Sequence, residues 1–123
     1  MKFVGKVYSD NDAETSVSSS NSSELILLVY ERIFDQLQTG KFELSQGRFG
    51  IDFLSKASDL INLGLLSSLD FNKGGEIAVN LKLIYEWALK TINEARIKKS
   101  PEKIQEVIDI LKPLYEAWEE IAV

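Results

Sequence analysis

The sequence predicts an all-α protein, an antiparallel four-helix bundle preceded by a flexible or loosely docked N-terminal segment. From Ser23 to the end of the 123-residue chain, apolar residues recur at steps of three and four, as they do on one face of a helix. The breaks between these stretches are short, which favours antiparallel neighbours. No stretch alternates apolar and polar residues as a half-buried strand would. We therefore divide the chain into a mobile N-terminal arm, residues 1–22, and a helical domain, residues 23–123.

The predicted arm is polar and rich in serine between residues 9 and 23. Such a segment buries too little apolar surface to offset the entropy lost on ordering. Ahead of it stands a small apolar cluster, Phe3, Val4, Val7 and Tyr8. Two interpretations remain open: this apolar cluster docks on the helices, or it belongs to a frayed terminus without a role.

The first predicted helix is capped by Ser22 or Ser23 and ends at Thr39 and Gly40. One apolar stripe comprises Leu25, Leu28, Val29, Ile33 and Leu37, and a second set comprises Ile26, Leu27, Tyr30 and Phe34. A helix that is apolar over so much of its circumference needs cover on two sides. It therefore lies at the centre of the bundle or offers a groove to another molecule.

The second helix is clear from Ile51, and small residues recur every seven positions at Gly50, Ala57 and Gly64. Such a stripe allows a neighbouring helix to approach closely. That neighbour is either another helix of this chain, which we favour, or an exogenous one.

Two further helices follow breaks at residues 71–75 and at Ser100 and Pro101. The third helix presents an apolar face to the core, and its other flank carries Leu83 and Trp87. The fourth contains Pro113, which predicts a bend. The residues assigned to the core face of the third helix are Ile77, Ala78, Leu81, Ile84, Tyr85, Ala88, Leu89, Ile92 and Ala95. Those of the fourth are Ile104, Val107, Ile108, Leu111, Leu114 or Tyr115, and Trp118.

The composition argues against an enzyme, a metal site and a cofactor. The chain has neither cysteine nor histidine, so thiolate nucleophiles, the commonest general base and the usual zinc ligands are all missing. The acidic pairs of the last helix lack the histidine that carboxylate di-metal bundles need. Gly74 and Gly75 lack the lysine and hydroxyl residue of a phosphate-binding loop, which leaves a plain tight turn.

The charge and hydropathy of the sequence limit the classes of partner that the chain is expected to bind. The net charge is −5, and the one basic cluster, Arg96, Lys98 and Lys99, has no aromatic residues within it, which is a poor nucleic-acid footprint. The electrostatics of a helix end account for that cluster adequately. No apolar run is long enough to span a bilayer or to serve as a secretory signal, so we expect a cytoplasmic protein.

Three blocks of the chain carry a distinctive order of motifs. The first helix opens with SSELILLVY at residues 22–30, and SSLD follows at residues 67–70. The most specific block, GGEIAVNL at residues 74–81, precedes Ile84 and Tyr85, and the closing helix carries a tryptophan, Trp118. Together these motifs resemble the FliS family of flagellin export chaperones. The resemblance covers roughly residues 8 to 120.

The resemblance implies a non-catalytic cytoplasmic chaperone that binds the disordered C-terminal segment of flagellin and prevents premature polymerisation before type III export. The flagellar export gate and a second copy of the chain are further candidate partners. The resemblance also implies that the N-terminal segment covers part of the client surface when the client is absent, and Tyr8 stands at the place of the aromatic residue of that segment. The residues expected to bind the partner are Tyr8, Ile26, Leu27, Tyr30, Leu81, Ile84 and Tyr85.

A rival interpretation is a non-catalytic bundle that self-associates through the same apolar face, with a structural or regulatory role in flagellar assembly. In the chaperone interpretation, an arm that competes with the client for this surface weakens client binding, so deleting residues 1–20 should tighten it.

Overall fold

The computed structural model describes Tyr8 and residues 22–122. Its helices are α1 (Ser22–Ser45), α2 (Ile51–Asp59), α3 (Phe71–Lys98) and α4 (Pro101–Ala122), and α2 runs on without a break as a π-helix at Leu60–Leu66. The predicted all-α four-helix architecture is confirmed. The predicted mobile arm, residues 1–22, lies outside the described residues except for Tyr8 and for Ser22, where α1 begins.

The helices form a ring in which each packs against its neighbours in sequence and α4 closes against α1. The short connections make neighbouring helices antiparallel. One end of the bundle holds the loop at residues 46–50 and the junction of α3 with α4. The other end holds the turn at residues 67–70 and the C-terminus of α4.

Helix α1 buries members of both apolar sets, and the helix is longer than predicted. Leu25 and Leu28, which belong to the first apolar stripe, are exposed. The predicted end at Gly40 was also wrong, because α1 continues to Ser45. The buried positions advance by three and four residues and comprise Ile26, Tyr30, Ile33, Leu37, Gly40 and Leu44.

Gly40 is an inward-facing contact point in α1. A Cβ atom there would lie 2.8 Å from Cγ of Leu54 and closer still to Cδ2, and Leu54 is fully buried. Gly64 makes a similar contact, since its Cβ would lie 3.1 Å from Cγ1 of Val29. The small residues therefore serve close packing of α1 against α2 and its π-helical extension. The neighbour on the small-residue stripe is thus a helix of this chain.

The π-helix was not predicted. It carries Ile61 and Leu65 into the core, and the backbone N–H of Ser67 donates to the carbonyl of Asn62 at 3.0 Å, a five-residue step. Apolar side chains advance from Leu54 and Ala57 to these two positions by three and four residues, as in an ordinary α-helix. The hydrophobic pattern therefore gives no sign of the wider turn.

Both breaks near α3 lie close to where they were predicted. Asp70 caps the helix, accepting from the backbone N–H groups of Asn72 at 3.0 Å and Lys73 at 2.9 Å. After one turn the backbone leaves helical geometry at Gly75, with φ 50° and ψ −126°. At the far end Ser100 Oγ accepts from the N–H of Lys103 at 3.2 Å, and Pro101 begins α4. α4 then runs through Pro113 to Ala122.

Candidate functional site

Tyr8 occupies a closed site at the end of the bundle that holds the turn at residues 67–70. Its side chain is buried, and its backbone forms an isolated antiparallel bridge with Leu69. Its ring lies against Trp118 of α4, with centroids 5.3 Å apart and planes tilted by 49°. A residue from the N-terminal part of the chain is thus held by the turn before α3 and by α4.

The Tyr8 hydroxyl is the first of three tyrosine hydroxyl groups that are hydrogen-bonded in series. It is hydrogen-bonded to the Tyr85 hydroxyl, which in turn lies 2.6 Å from the Tyr30 hydroxyl. Burial is the main cause that raises the pKa of each of the three well above 10.0. All three are therefore neutral at physiological pH, and the site is apolar except for hydroxyl groups that satisfy one another.

The structure brings three predicted partner-binding residues, Tyr8, Tyr30 and Tyr85, into this one cluster. Ile26 and Leu81 are also buried, whereas Leu27 and Ile84 are partly buried and pack against the core from its margin. With Tyr8 in place, most of the predicted site is therefore closed core. Sequence reasoning did not assign Trp118 or Leu69 to it, although both stand in blocks that carry the family resemblance.

An open apolar groove lies between α3 and α4, beside Ile84. Leu83, Ile84 and Trp87 line one side and Ile110 the other, and the depression has a volume of about 210 Å³. Leu83 is 60% exposed and Ile110 is 46% exposed. Leu83 and Trp87 were recognised in the sequence only as an apolar flank of the third helix. Their spacing of four residues was the signal for a second, unpartnered face.

A second groove, between α1 and α4, is more polar. Phe34, Gln38, Ile108, Lys112 and Tyr115 line its volume of about 210 Å³. The Tyr115 hydroxyl donates to Oε2 of Glu31 at 2.8 Å, and this bond is the main cause that raises the pKa of Tyr115 to about 12. Tyr115 therefore lines this groove, whereas Tyr30 and Tyr85 belong to the core.

The described residues form neither a cluster of metal ligands nor a membrane-spanning helix. Among Tyr8 and residues 22–122, no three acidic side chains come together as a metal site would require. In the same part of the chain, no helix combines the length and the hydropathy needed to cross a bilayer. What these residues do offer is apolar and aromatic surface, which suits the binding of another polypeptide.

Comparison with known proteins gives consistent matches. The sequence model of the family described as flagellar protein FliS matches residues 5–123. The flagellar secretion chaperone FliS of Salmonella typhimurium is 32% identical over 119 residues, which cover 95% of this chain and 88% of the relative. The chaperone of the same name from Vibrio cholerae is 27% identical over 118 residues, covering 94% and 86%. The flagellar secretion chaperone FliSB of Pseudomonas aeruginosa is 28% identical over 120 residues, covering 95% and 94%.

Proposed function

The chain belongs to the FliS family, and we propose that it is a cytoplasmic chaperone of flagellar export that binds the disordered C-terminal segment of flagellin. The relatives named above support the chaperone role, since each is called a flagellar secretion chaperone. Holding the segment apart from other flagellin molecules would prevent premature polymerisation. The proposed role is binding without catalysis.

The observation that carries the proposal is the buried position of the Tyr8 side chain among the helices. A single aromatic residue, distant in sequence from the helices, fills a site walled by Tyr30, Tyr85 and Trp118. A site that accepts a side chain from outside the helices can accept an apolar side chain of a client in the same way. We infer that the Tyr8 side chain occupies this site in the free protein and that a side chain of flagellin displaces it on binding.

Exchange of one occupant for another sets the strength of binding. Burying a Leu-sized or Phe-sized side chain contributes about 1.5–3 kcal/mol, and the client must displace Tyr8 to gain it there. Net affinity is then the difference between two burials, reduced by the entropy lost when a disordered client becomes ordered.

The open α3/α4 groove offers the client surface that needs no displacement. Leu83 and Trp87 stand one helical turn apart, and Ile110 faces them from α4. This geometry suits the apolar stripe of an incoming amphipathic helix. Ile84 lines the groove and also packs against the core that holds Tyr85, so the groove borders the Tyr8 site.

Calorimetry of the full chain with the C-terminal segment of the host's flagellin tests the proposal. We expect one-to-one binding, weakened about tenfold or more by Leu83→Asp, because the Asp removes a Leu-sized burial from the groove. The matched control is Leu63→Asp, an exposed position on the π-helix outside the groove, and it should leave the affinity unchanged. Absence of binding by the unaltered chain would contradict the proposal.

The rival role, a self-associating bundle in flagellar assembly, makes a different prediction in light scattering. For a chaperone, any oligomer formed through the groove dissociates when the flagellin segment is added. A tight dimer unaffected by that segment would favour the rival. The flagellar export gate remains a further proposed partner of the loaded chaperone.

A further inference from the structure

An apolar and basic surface lies at the end of the bundle far from Tyr8. We call it the loop-end patch; it consists of Phe49, Ile51, Arg96, Ile97, Lys98 and Lys99. Phe49, Ile51, Arg96 and Ile97 enclose a shallow depression of about 190 Å³. Phe49 is 54% exposed, Ile51 53% and Ile97 72%, so three large apolar side chains meet water around one depression.

The loop that carries Phe49 is held by specific contacts. Arg48 donates to both carboxylate oxygens of Glu43, from Nε to Oε1 at 2.7 Å and from Nη2 to Oε2 at 2.8 Å. Its backbone N–H donates to the Glu43 carbonyl at 3.0 Å. Lys99 Nζ donates to the Gly47 carbonyl at 2.9 Å, which ties the loop to the end of α3. Phe49 is therefore presented outward by a fixed loop, which lowers the ordering entropy lost on docking.

Positively charged residues lie at the depression, on a chain whose net charge is −5. Arg96 lines the depression, Lys98 and Lys99 follow, and the Lys99 ammonium lies 4.0 Å from the centroid of the Phe49 ring. Among Tyr8 and residues 22–122, none of these three cations forms an ion pair. The helix dipole accounts for basic residues at the end of α3 but not for the exposed Ile97 between them.

We propose that the loop-end patch docks an acidic, amphipathic segment of a partner protein other than the flagellin client. One apolar side chain of the segment would enter the depression, and its carboxylates would pair with Arg96, Lys98 and Lys99. Ile97 stands 14 residues beyond Leu83 on α3, about 21 Å along the helix axis at 1.5 Å per residue. The chain could therefore hold this partner and the client together.

The direct test uses a fluorescein-labelled synthetic helix with Leu at every third or fourth position and Glu elsewhere. The net negative charge of the chain opposes binding of this probe away from a local basic site. Fluorescence anisotropy with the full chain should show binding that weakens with salt. Ile97→Asp and the double change Lys98→Glu with Lys99→Glu should each lower the affinity by roughly tenfold.

The controls separate this patch from the rest of the surface. Leu63→Asp should leave probe binding unchanged, and the same peptide with Lys in place of Glu should bind without sensitivity to Ile97→Asp. All substituted side chains are exposed, and circular dichroism verifies that each variant keeps its helices. Equal affinity of the unaltered chain and Ile97→Asp for the acidic probe, or no binding of the probe, would overturn the proposal.

Two other occupants give distinct outcomes that would also overturn it. Binding to phosphatidylserine vesicles that is lost in Ile97→Asp, without binding of the acidic probe, would mean a membrane-contacting patch. A concentration-dependent dimer abolished by Ile97→Asp would mean an interface between copies of this chain. Ile97→Asp should bind the flagellin segment as the unaltered chain does; weaker binding would assign the patch to the client. A chain that fails to bind flagellin yet binds the acidic probe would leave this inference standing without the proposed function.

Discussion

Three of the four tyrosines share one chain of hydroxyl groups, and the fourth donates to a carboxylate. For Tyr8, Tyr30 and Tyr85, burial disfavours the phenolate and raises the pKa well above 10.0. For Tyr115, the hydrogen bond to Glu31 favours the protonated phenol, and its pKa rises to about 12. In the buried site, the hydroxyl groups of Tyr8, Tyr30 and Tyr85 thus satisfy one another's hydrogen bonds without introducing a charge.

These shifts predict how the folded protein responds to alkali. A pKa that is higher in the folded than in the unfolded state contributes stability below the unfolded value, and that stability is lost as pH rises above about 10. The ultraviolet absorbance of tyrosinate should therefore stay low in the native protein at pH 10. The same chain in denaturant should titrate near that pH. Ionisation of Tyr8, Tyr30 or Tyr85 at the ordinary tyrosine pKa in the native protein would contradict the burial of this cluster.

Gly40 carries a second prediction at the residue scale. In an exposed helix, Gly→Ala stabilises by up to about 1 kcal/mol, but a methyl group at Gly40 would overlap the fully buried Leu54. Overpacking of this kind costs about 1–3 kcal/mol, so Gly40→Ala should lower the free energy of unfolding.

The comparison variant is Gly64→Ala, whose methyl would meet Val29 at the looser distance of 3.1 Å. Urea denaturation should rank Gly40→Ala as the more destabilised of the two. A Gly40→Ala protein as stable as the unaltered chain would mean that Leu54 has room to move.

At the scale of the elements, the sequence predicted which segments are helical better than where each helix ends. Ser100 and Pro101 carry a cap and a fixed φ, so local chemistry marks the start of α4. Gly40 looks like a helix end in the sequence, but tertiary packing against Leu54 keeps it inside α1. The π-helix at Leu60–Leu66 keeps an α-like apolar spacing, so sequence periodicity cannot reveal it.

The candidate site was predictable in its members more than in its state. Apolar spacing and family resemblance both selected Tyr30 and Tyr85, and the structure places Tyr8 on them. Whether such residues line an open groove or a closed core depends on a contact distant in sequence, which periodicity does not encode. Exposure of Leu83 likewise depends on the packing of α4 beside α3.

At the scale of the whole molecule, replacing Tyr8 should strengthen client binding. In Tyr8→Ala the ring no longer competes for the site, so affinity for the flagellin segment should rise about tenfold or more, as expected from about 1.5–3 kcal/mol of lost burial. Deleting residues 1–20 should act in the same direction. The helices should stay folded in both proteins, because they pack against one another along the bundle and Tyr8 contacts them at one end.

Tyr8→Phe is the matched control, since it keeps the buried ring and removes only the hydroxyl that bonds to Tyr85. Its effect on affinity should be the smaller one, because a hydrogen bond contributes a net of about 0.5–1.5 kcal/mol. Calorimetry of the unaltered chain, Tyr8→Phe and Tyr8→Ala with the flagellin segment gives the order of their affinities directly. Weaker binding by Tyr8→Ala would instead make Tyr8 a direct contact of the client.

The most direct measurement is aromatic NMR of the protein labelled at its tyrosines, followed as the flagellin segment is added. The Tyr8 ring lies 5.3 Å from the Trp118 ring and therefore carries a ring-current shift in the free protein. We predict that this shift disappears at one equivalent of segment, while Tyr30 and Tyr85 remain shielded from solvent. A segment that binds with the Tyr8 resonances unchanged would contradict the displacement of Tyr8 by the client.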